Sequence, residues 1–149
     1  MKIALPSSAG GHITELMQIR GSFGEYETFF VTVKRKDTED LSKKEKVYFV
    51  EDTGRNPVGL VKNIISSLKI MFNERPDVII TTGAGAAIPA SIIGKLLGAK
   101  LVYIESYCRV KSKSWSGRLL YPFSDVFLVQ WPDMVTMYGK KTRYWGGVF

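Results

Sequence analysis

Apolar positions along this chain follow two alternating rhythms, and the alternation predicts a fold. Short β-branched, aliphatic or aromatic runs recur at residues 1–5, 28–33, 47–50, 78–82, 100–105 and 125–129, with a weaker one at 142–145. Each has the length and residue types of a strand. Between them, helical spacing predicts helices from His12 to about Gly21–Gly24, from Asn56-Pro57 to about Asn73, from Ala86 to Leu97, and a short one after Trp131-Pro132-Asp133. In the longest of these, Val61, Ile64, Ile65, Leu68, Met71 and Phe72 form one stripe, which is expected to pack on the sheet. Residues 34–46 carry six basic and four acidic side chains and read as a solvated loop.

Strands that alternate with helices through short turns imply an α/β fold: a Rossmann-like parallel sheet with helices on both faces. The chain of 149 residues, 45% hydrophobic and 12% aromatic, has enough apolar material for a core and is expected to form a single domain, 1–149. Ligands in such folds gather beyond the carboxyl ends of the strands. The turns at 7–11, 83–85 and 105–109 open onto that edge.

The first turn holds the densest chemistry. Pro6-Ser7-Ser8-Ala9-Gly10-Gly11 leads straight into His12 and the first helix. Backbone N–H groups at a helix N-terminus attract anions, phosphate above all. His12, the one histidine of the chain, would stand at the mouth of that site. An imidazole there can take a proton from a hydroxyl, or it is simply a solvated first-turn histidine. Glu15 reads as a first-turn acid favoured by the helix dipole.

Gly83-x-Gly85 follows a strand and opens a helix, with Glu105 twenty positions beyond Gly85. This imitates a dinucleotide fingerprint, but Ile88 stands where a small residue belongs and Pro89 follows it. A dinucleotide-binding oxidoreductase domain is therefore the alternative reading.

Charge narrows the partners. The formal charge of +7 points to nucleic acid, an anionic membrane surface or a phosphorylated substrate. No recognition-helix or RNA-binding signature is present, so nucleic acid is not expected. One histidine and one cysteine, Cys108, are too few for a zinc cluster, and no metal is expected. No apolar stretch reaches the ~18 to 20 residues that cross a bilayer, and no secretory signal opens the chain. Residues 106–124 carry Arg109, Lys111, Lys113 and Arg118, no acid, and interleaved Trp115, Leu119, Leu120, Tyr121 and Phe123. Such a segment suits a helix on an anionic leaflet, through Lys111, Lys113, Trp115 and Arg118, or a basic surface helix with its apolar side on the core. The apolar C-terminal end, with Trp145, Val148 and Phe149, either docks on its own domain, as terminal aromatics commonly do, or serves as a partner surface, the use expected here.

Four motifs taken in order carry a family resemblance: Ser8-Ala9-Gly10-Gly11-His12-Ile13-Thr14-Glu15-Leu16, Thr82-Gly83-Ala84-Gly85, residues 103–110 (YIESYCRV) and residues 120–132 (LYPFSDVFLVQWP). Together they resemble the membrane-anchor subunit family of the two-subunit UDP-N-acetylglucosamine transferase of asparagine-linked glycosylation, with its bacterial relatives in capsule and exopolysaccharide synthesis. The Gly-Gly-His turn is also similar to that of the single-chain enzyme that adds N-acetylglucosamine to the lipid-linked peptidoglycan precursor. The resemblance implies the N-terminal half of a GT-B glycosyltransferase that is not autonomous. A catalytic partner resembling the C-terminal half would supply most of the nucleotide-sugar site. The implied reaction is inverting transfer from a UDP-sugar, without further cofactor, to a polyprenyl-diphosphate-linked saccharide. In that scheme Ser8, Gly10, Gly11, Gly83 and Gly85 hold diphosphate, His12 accepts the hydroxyl proton, Glu105 orients His12 or a sugar hydroxyl, and Arg109 pairs with phosphate. The implied location is peripheral, on the cytoplasmic face of the cell membrane. Eukaryotic members of the family have an N-terminal membrane helix, whereas this sequence opens on its first strand. Anchoring is therefore expected from the basic aromatic segment, the partner or both.

Overall fold

A computed structural model describes residues 1–54 and 56–149. The strands are β1 (Lys2–Pro6), β2 (Glu27–Val33), β3 (Val47–Val50), β4 (Val78–Thr81), β5 (Lys100–Ile104), β6 (Val126–Val129) and β7 (Thr142–Tyr144). They form one seven-stranded sheet in the order β3-β2-β1-β4-β5-β6-β7, and every neighbouring pair is parallel. The chain order reverses between β1 and β4, the switch point at which such sheets leave a crevice.

The helices are α1 (Gly11–Arg20), α2 (Lys36–Ser42), α3 (Pro57–Glu74), α4 (Ile88–Leu96), α5 (Trp115–Leu120) and α6 (Asp133–Tyr138). Successive strand residues point to opposite faces, and both faces of the central strands are buried. On one face Ile3, Leu5 and Phe30 meet Ile13 and Leu16 of α1, with Leu41 of α2 beside them. On the other, Ala4, Phe29, Val31 and Ile79 meet Ile70 and Met71 of α3, Ile88 and Ala90 of α4, Leu120 of α5 and Tyr138 of α6.

Three expectations are corrected. Within residues 34–46, read as a loop, α2 forms because Thr38 is buried: its Oγ1 accepts from the Arg35 N–H at 2.9 Å and donates to the Val33 carbonyl at 2.8 Å. Residues 106–124 form only the six-residue helix α5, and Lys111 and Lys113 lie in the turn-rich segment before it.

The third correction concerns α3. Its ends are as expected: Asn56 accepts from the Val58 N–H at 3.0 Å, and Arg75 closes the helix in the left-handed region at φ 45°. Its orientation is not. Val61, Ile64, Ile65, Leu68 and Phe72 are exposed, and of the six stripe residues only Met71 is buried. The buried side carries Gly59, Asn63, Ser67, Ile70 and Met71. Asn63 Nδ2 donates to the carbonyls of Glu51 at 2.7 Å and Ala86 at 3.2 Å, and Ser67 Oγ donates to Asn63 Oδ1 at 2.9 Å. A Cβ on Gly59 would stand 2.7 Å from the Asp52 carbonyl oxygen. Small and amide side chains bring α3 close to backbone that needs donors, which turns the apolar stripe outward. Among the described residues no helix is long and apolar enough to cross a membrane.

Candidate functional site

The carboxyl ends of β1 and β4 are tied together beyond the sheet. Ser7 and Gly83 form a parallel bridge, Thr81 Oγ1 donates to the Pro6 carbonyl at 2.7 Å, and Thr82 Oγ1 donates to the His12 carbonyl at 3.0 Å. The first and second glycine turns thus share one platform. A cavity of about 380 Å³ opens there, walled by Gly11, His12 and Glu15 of α1, Ala84 and Gly85 before α4, Ser106 and Arg109 after β5, and Trp115 of α5.

Its polar groups are incompletely paired. Glu15 is buried; its Oε1 accepts from Ser106 Oγ at 3.0 Å and from the Tyr107 N–H at 2.8 Å, while its Oε2 is buried without a partner. His12 Nδ1 is also buried without a partner, as is Ser7 Oγ below the turn. Buried polar atoms are nearly always satisfied, so the two unpaired ones on the cavity-lining His12 and Glu15 suit a polar ligand, while Ser7 lies outside the lining. Because α1 begins at Gly11, Glu15 lies beyond its first turn rather than within it. It shares a helix face with His12 by i, i+3 spacing, the signal that could have singled it out in the sequence.

The expected phosphate residues divide. Gly11, Gly85 and Arg109 line the cavity, whereas Ser8, Gly10 and Gly83 do not. Gly10, at φ 84°, donates its N–H to Asp37 Oδ2 of α2 at 2.7 Å, so a carboxylate already holds that amide. Gly83 is a packing glycine: at φ 87° it donates to Thr81 Oγ1 at 3.0 Å, and a Cβ there would lie 2.6 Å from Ser116 Oγ. Ala84, on the cavity wall, holds φ 72° and ψ 158°, a conformation that is normally glycine's.

Glu105, expected to orient His12 or a sugar hydroxyl, does not line the cavity. Its carboxylate is buried and accepts from Tyr103 Oη at 3.3 Å, the Ser106 N–H at 3.0 Å, the Ser114 N–H at 3.2 Å, Ser114 Oγ at 2.9 Å and Tyr138 Oη. It makes no contact with His12 and instead clamps β5, the start of α5 and the end of α6. Burial and the neighbouring Glu105 charge push the Tyr103 and Tyr138 phenols far up, so both stay donors. The dinucleotide reading fails on the same facts, since its ribose acid is consumed in the core and its first glycine is buried.

Arg109 is exposed at the cavity edge, with Nη1 3.4 Å from Ser112 Oγ. Lys111, Lys113 and Arg118 border a separate shallow depression, while Trp115, 75% exposed, stands over the cavity. At the C-terminus Trp145 is exposed, but Val148 donates its N–H to Gln130 Oε1 at 2.9 Å and Phe149 packs edge-on against Tyr107, ring centres 5.4 Å apart. Val148 is thus tied to its own domain, while Trp145 and Phe149 remain largely exposed.

Comparison with known proteins agrees with this architecture. The family described as "Oligosaccharide biosynthesis protein Alg14 like" matches residues 51–148. The chain is 32% identical to the UDP-N-acetylglucosamine transferase subunit alg14 of Schizosaccharomyces pombe, over 93% of this chain and 79% of that one. It is 25% identical to the human protein of the same name, over 95% and 80%. Among solved structures it resembles Acinetobacter baumannii MurG, with a TM-score of 0.78 at 15% identity, covering 99% of this chain and 46% of that one. A UDP-N-acetylglucosamine 2-epimerase from Rickettsia bellii gives a TM-score of 0.77 at 12% identity, covering 99% and 45%. The chain therefore spans about half the length of the solved structures it matches, and its fold is the Rossmann-like N-terminal half of a GT-B glycosyltransferase.

Proposed function

Because the chain belongs to the Alg14-like family of oligosaccharide biosynthesis proteins, we propose that it is the acceptor-side subunit of a UDP-N-acetylglucosamine transferase acting on a polyprenyl-diphosphate-linked saccharide. On this reading it does not act alone. A second polypeptide resembling the C-terminal half of a GT-B enzyme carries most of the donor site and closes over the cavity. The observation that carries the reading is a half-length GT-B fold whose switch-point cavity presents Arg109 together with His12 and Glu15, each of these two with a polar atom left unpaired.

The acceptor hydroxyl attacks the anomeric carbon of the donor sugar; the new glycosidic bond forms as the bond to the UDP oxygen breaks, with inversion. UDP departs with the electron pair, and His12 takes the hydroxyl proton. Glu15, through its unpaired oxygen, accepts a hydrogen bond from a sugar hydroxyl, the positioning role that the sequence reading gave to Glu105. The N–H groups of Gly11 and Gly85 and the guanidinium of Arg109 hold the diphosphate. The UDP-sugar is the only small molecule the scheme needs besides the acceptor.

The protein sits peripherally on the cytoplasmic face of the membrane. The exposed apolar face of α3 enters the leaflet beside Trp115, with Lys62, Lys69, Lys111, Lys113 and Arg118 meeting anionic headgroups. Contiguous exposed apolar side chains rimmed by charge mark surfaces that meet a membrane or another protein. In the setting proposed here the polymer assembled is a capsule or exopolysaccharide; the relatives compared above are fungal and mammalian transferase subunits.

The test is transfer of labelled sugar from a panel of UDP-sugars to lipid-linked acceptor by this chain, by its partner and by both. Transfer only with both, and from UDP-N-acetylglucosamine, is expected. Equal transfer by the partner alone would overturn the reading.

A further inference from the structure

We propose that an apolar groove beside the cavity receives the first isoprene units of the acceptor's polyprenyl chain. This rests on the acceptor-side reading above and extends it to the lipid. The groove, of about 490 Å³, runs between Pro57 and Leu60 of α3, Ile88 and Pro89 of α4, and Trp115 and Leu119 of α5. Gly85, Ile88 and Trp115 line both the groove and the cavity, so the two form one continuous depression.

The depression changes character along its length. At the cavity end stand Arg109, His12 and Glu15; at the groove end the lining, among the described residues, holds no charged side chain. A polyprenyl diphosphate has the same order, a dianionic head followed directly by branched hydrocarbon. A diphosphate at Gly11, Gly85 and Arg109 places its first carbons at the shared wall of Ile88 and Trp115. Leu60 then connects the groove to the exposed face of α3 that begins with Val61, Ile64 and Ile65. The chain passes from the head site into the leaflet without crossing water, which is why an uncovered apolar channel lies beside a polar pocket.

Calorimetric titration of the full chain with inorganic diphosphate, geranyl diphosphate and geranylgeranyl diphosphate, each below its aggregation concentration, tests the proposal. Geranylgeranyl diphosphate is expected to bind at least about tenfold tighter than geranyl diphosphate, since each buried methylene favours binding. Leu60→Asp and Leu119→Asp, both at exposed positions that tolerate a polar residue, are each expected to remove that gain. Leu96→Asp, at an exposed apolar position outside the groove, is expected to keep it. Chain-length independence, retention of the gain in Leu60→Asp, or its loss in Leu96→Asp would overturn the proposal. So would disappearance of the gain when the partner polypeptide is added, which would assign the groove to that protein. Failure of the acceptor-side reading shows differently: the chain-length gain persists while the assembled complex transfers no sugar and Arg109→Ala binds all three compounds unchanged.

Discussion

The two faces of α3 make opposite predictions for residues three positions apart. Leu68 is 49% exposed and Ile65 50%, whereas Met71 is 0% exposed and packs in the core. Met71→Ala is expected to cost about 2 to 5 kcal/mol of unfolding free energy, the range for truncating a buried methionine. Ile65→Ser with Leu68→Ser touches only surface and is expected to change stability by less than about 1 kcal/mol in total. Membrane affinity should show the reverse. Fully burying a Leu or Ile side chain is worth about 1.5 to 3 kcal/mol, and half of each is available, so each contributes about 1 kcal/mol on entering a leaflet. Losing both lowers partitioning by about 2 kcal/mol, roughly 30-fold. Urea unfolding and co-sedimentation with phosphatidylglycerol vesicles measure the two quantities on the same variants. If the double serine variant unfolded several kcal/mol more easily yet sedimented like wild type, the outward orientation of the stripe would be refuted.

Other positions respond through different physics. His12→Ala is expected to lower turnover of the assembled complex by about 10²- to 10⁴-fold with the unfolding midpoint unchanged, and near-wild-type turnover would remove its role as base. Glu105→Gln replaces a buried carboxylate that accepts five hydrogen bonds. It is expected to destabilise the fold by about 2 to 4 kcal/mol in urea, and an unaltered midpoint would contradict the clamp. Gly83→Ala, strained at φ 87° and crowded by Ser116 and Tyr103, should cost about 1 to 3 kcal/mol, while Gly11→Ala, with nothing near its Cβ, should cost less than about 1 in the same assay. Burial alone would raise the Glu74 carboxyl, but hydrogen bonds from Lys46, Tyr48 and Lys2 hold it at about 2, below the ordinary 4.5. Its contribution is complete above pH 4.5 and lost as pH falls toward 2, so thermal melts should show the advantage of wild type over Glu74→Gln shrinking across that window. A gap independent of pH would refute this.

Local chemistry explains which parts of the site were legible. His12, Gly11, Gly85 and Arg109 stood out because the parallel sheet brings the turns after its strands to one edge, where all four line the cavity. Gly10 and Gly83 show that glycines of the same turns also serve packing. Glu105 misled because its position in sequence is that of a ligand acid, while the two tyrosines and the serine that absorb its charge come from β5, α5 and α6, up to 33 positions away. Glu15 was passed over for the converse reason: its value lies in a partnerless oxygen, and whether an oxygen has a partner is a property of the loop that reaches it, here Ser106 and Tyr107.

Alternating periods along the chain determined the number and order of the main strands and the α/β class, because backbone geometry forces side chains of strand and helix into different repeats. The long helix was likewise determined in sequence, with Asn56 and Pro57 at its start and the break at Arg75. Which side of that helix faces the sheet was decided only in three dimensions. A hydrophobic stripe says that one face avoids water, but burial is won by whichever face can approach most closely and satisfy the backbone it covers. In α3 that face is Gly59, Asn63 and Ser67, whose small or hydrogen-bonding side chains meet the carbonyls of Glu51 and Ala86, and the apolar face is left free for a lipid surface.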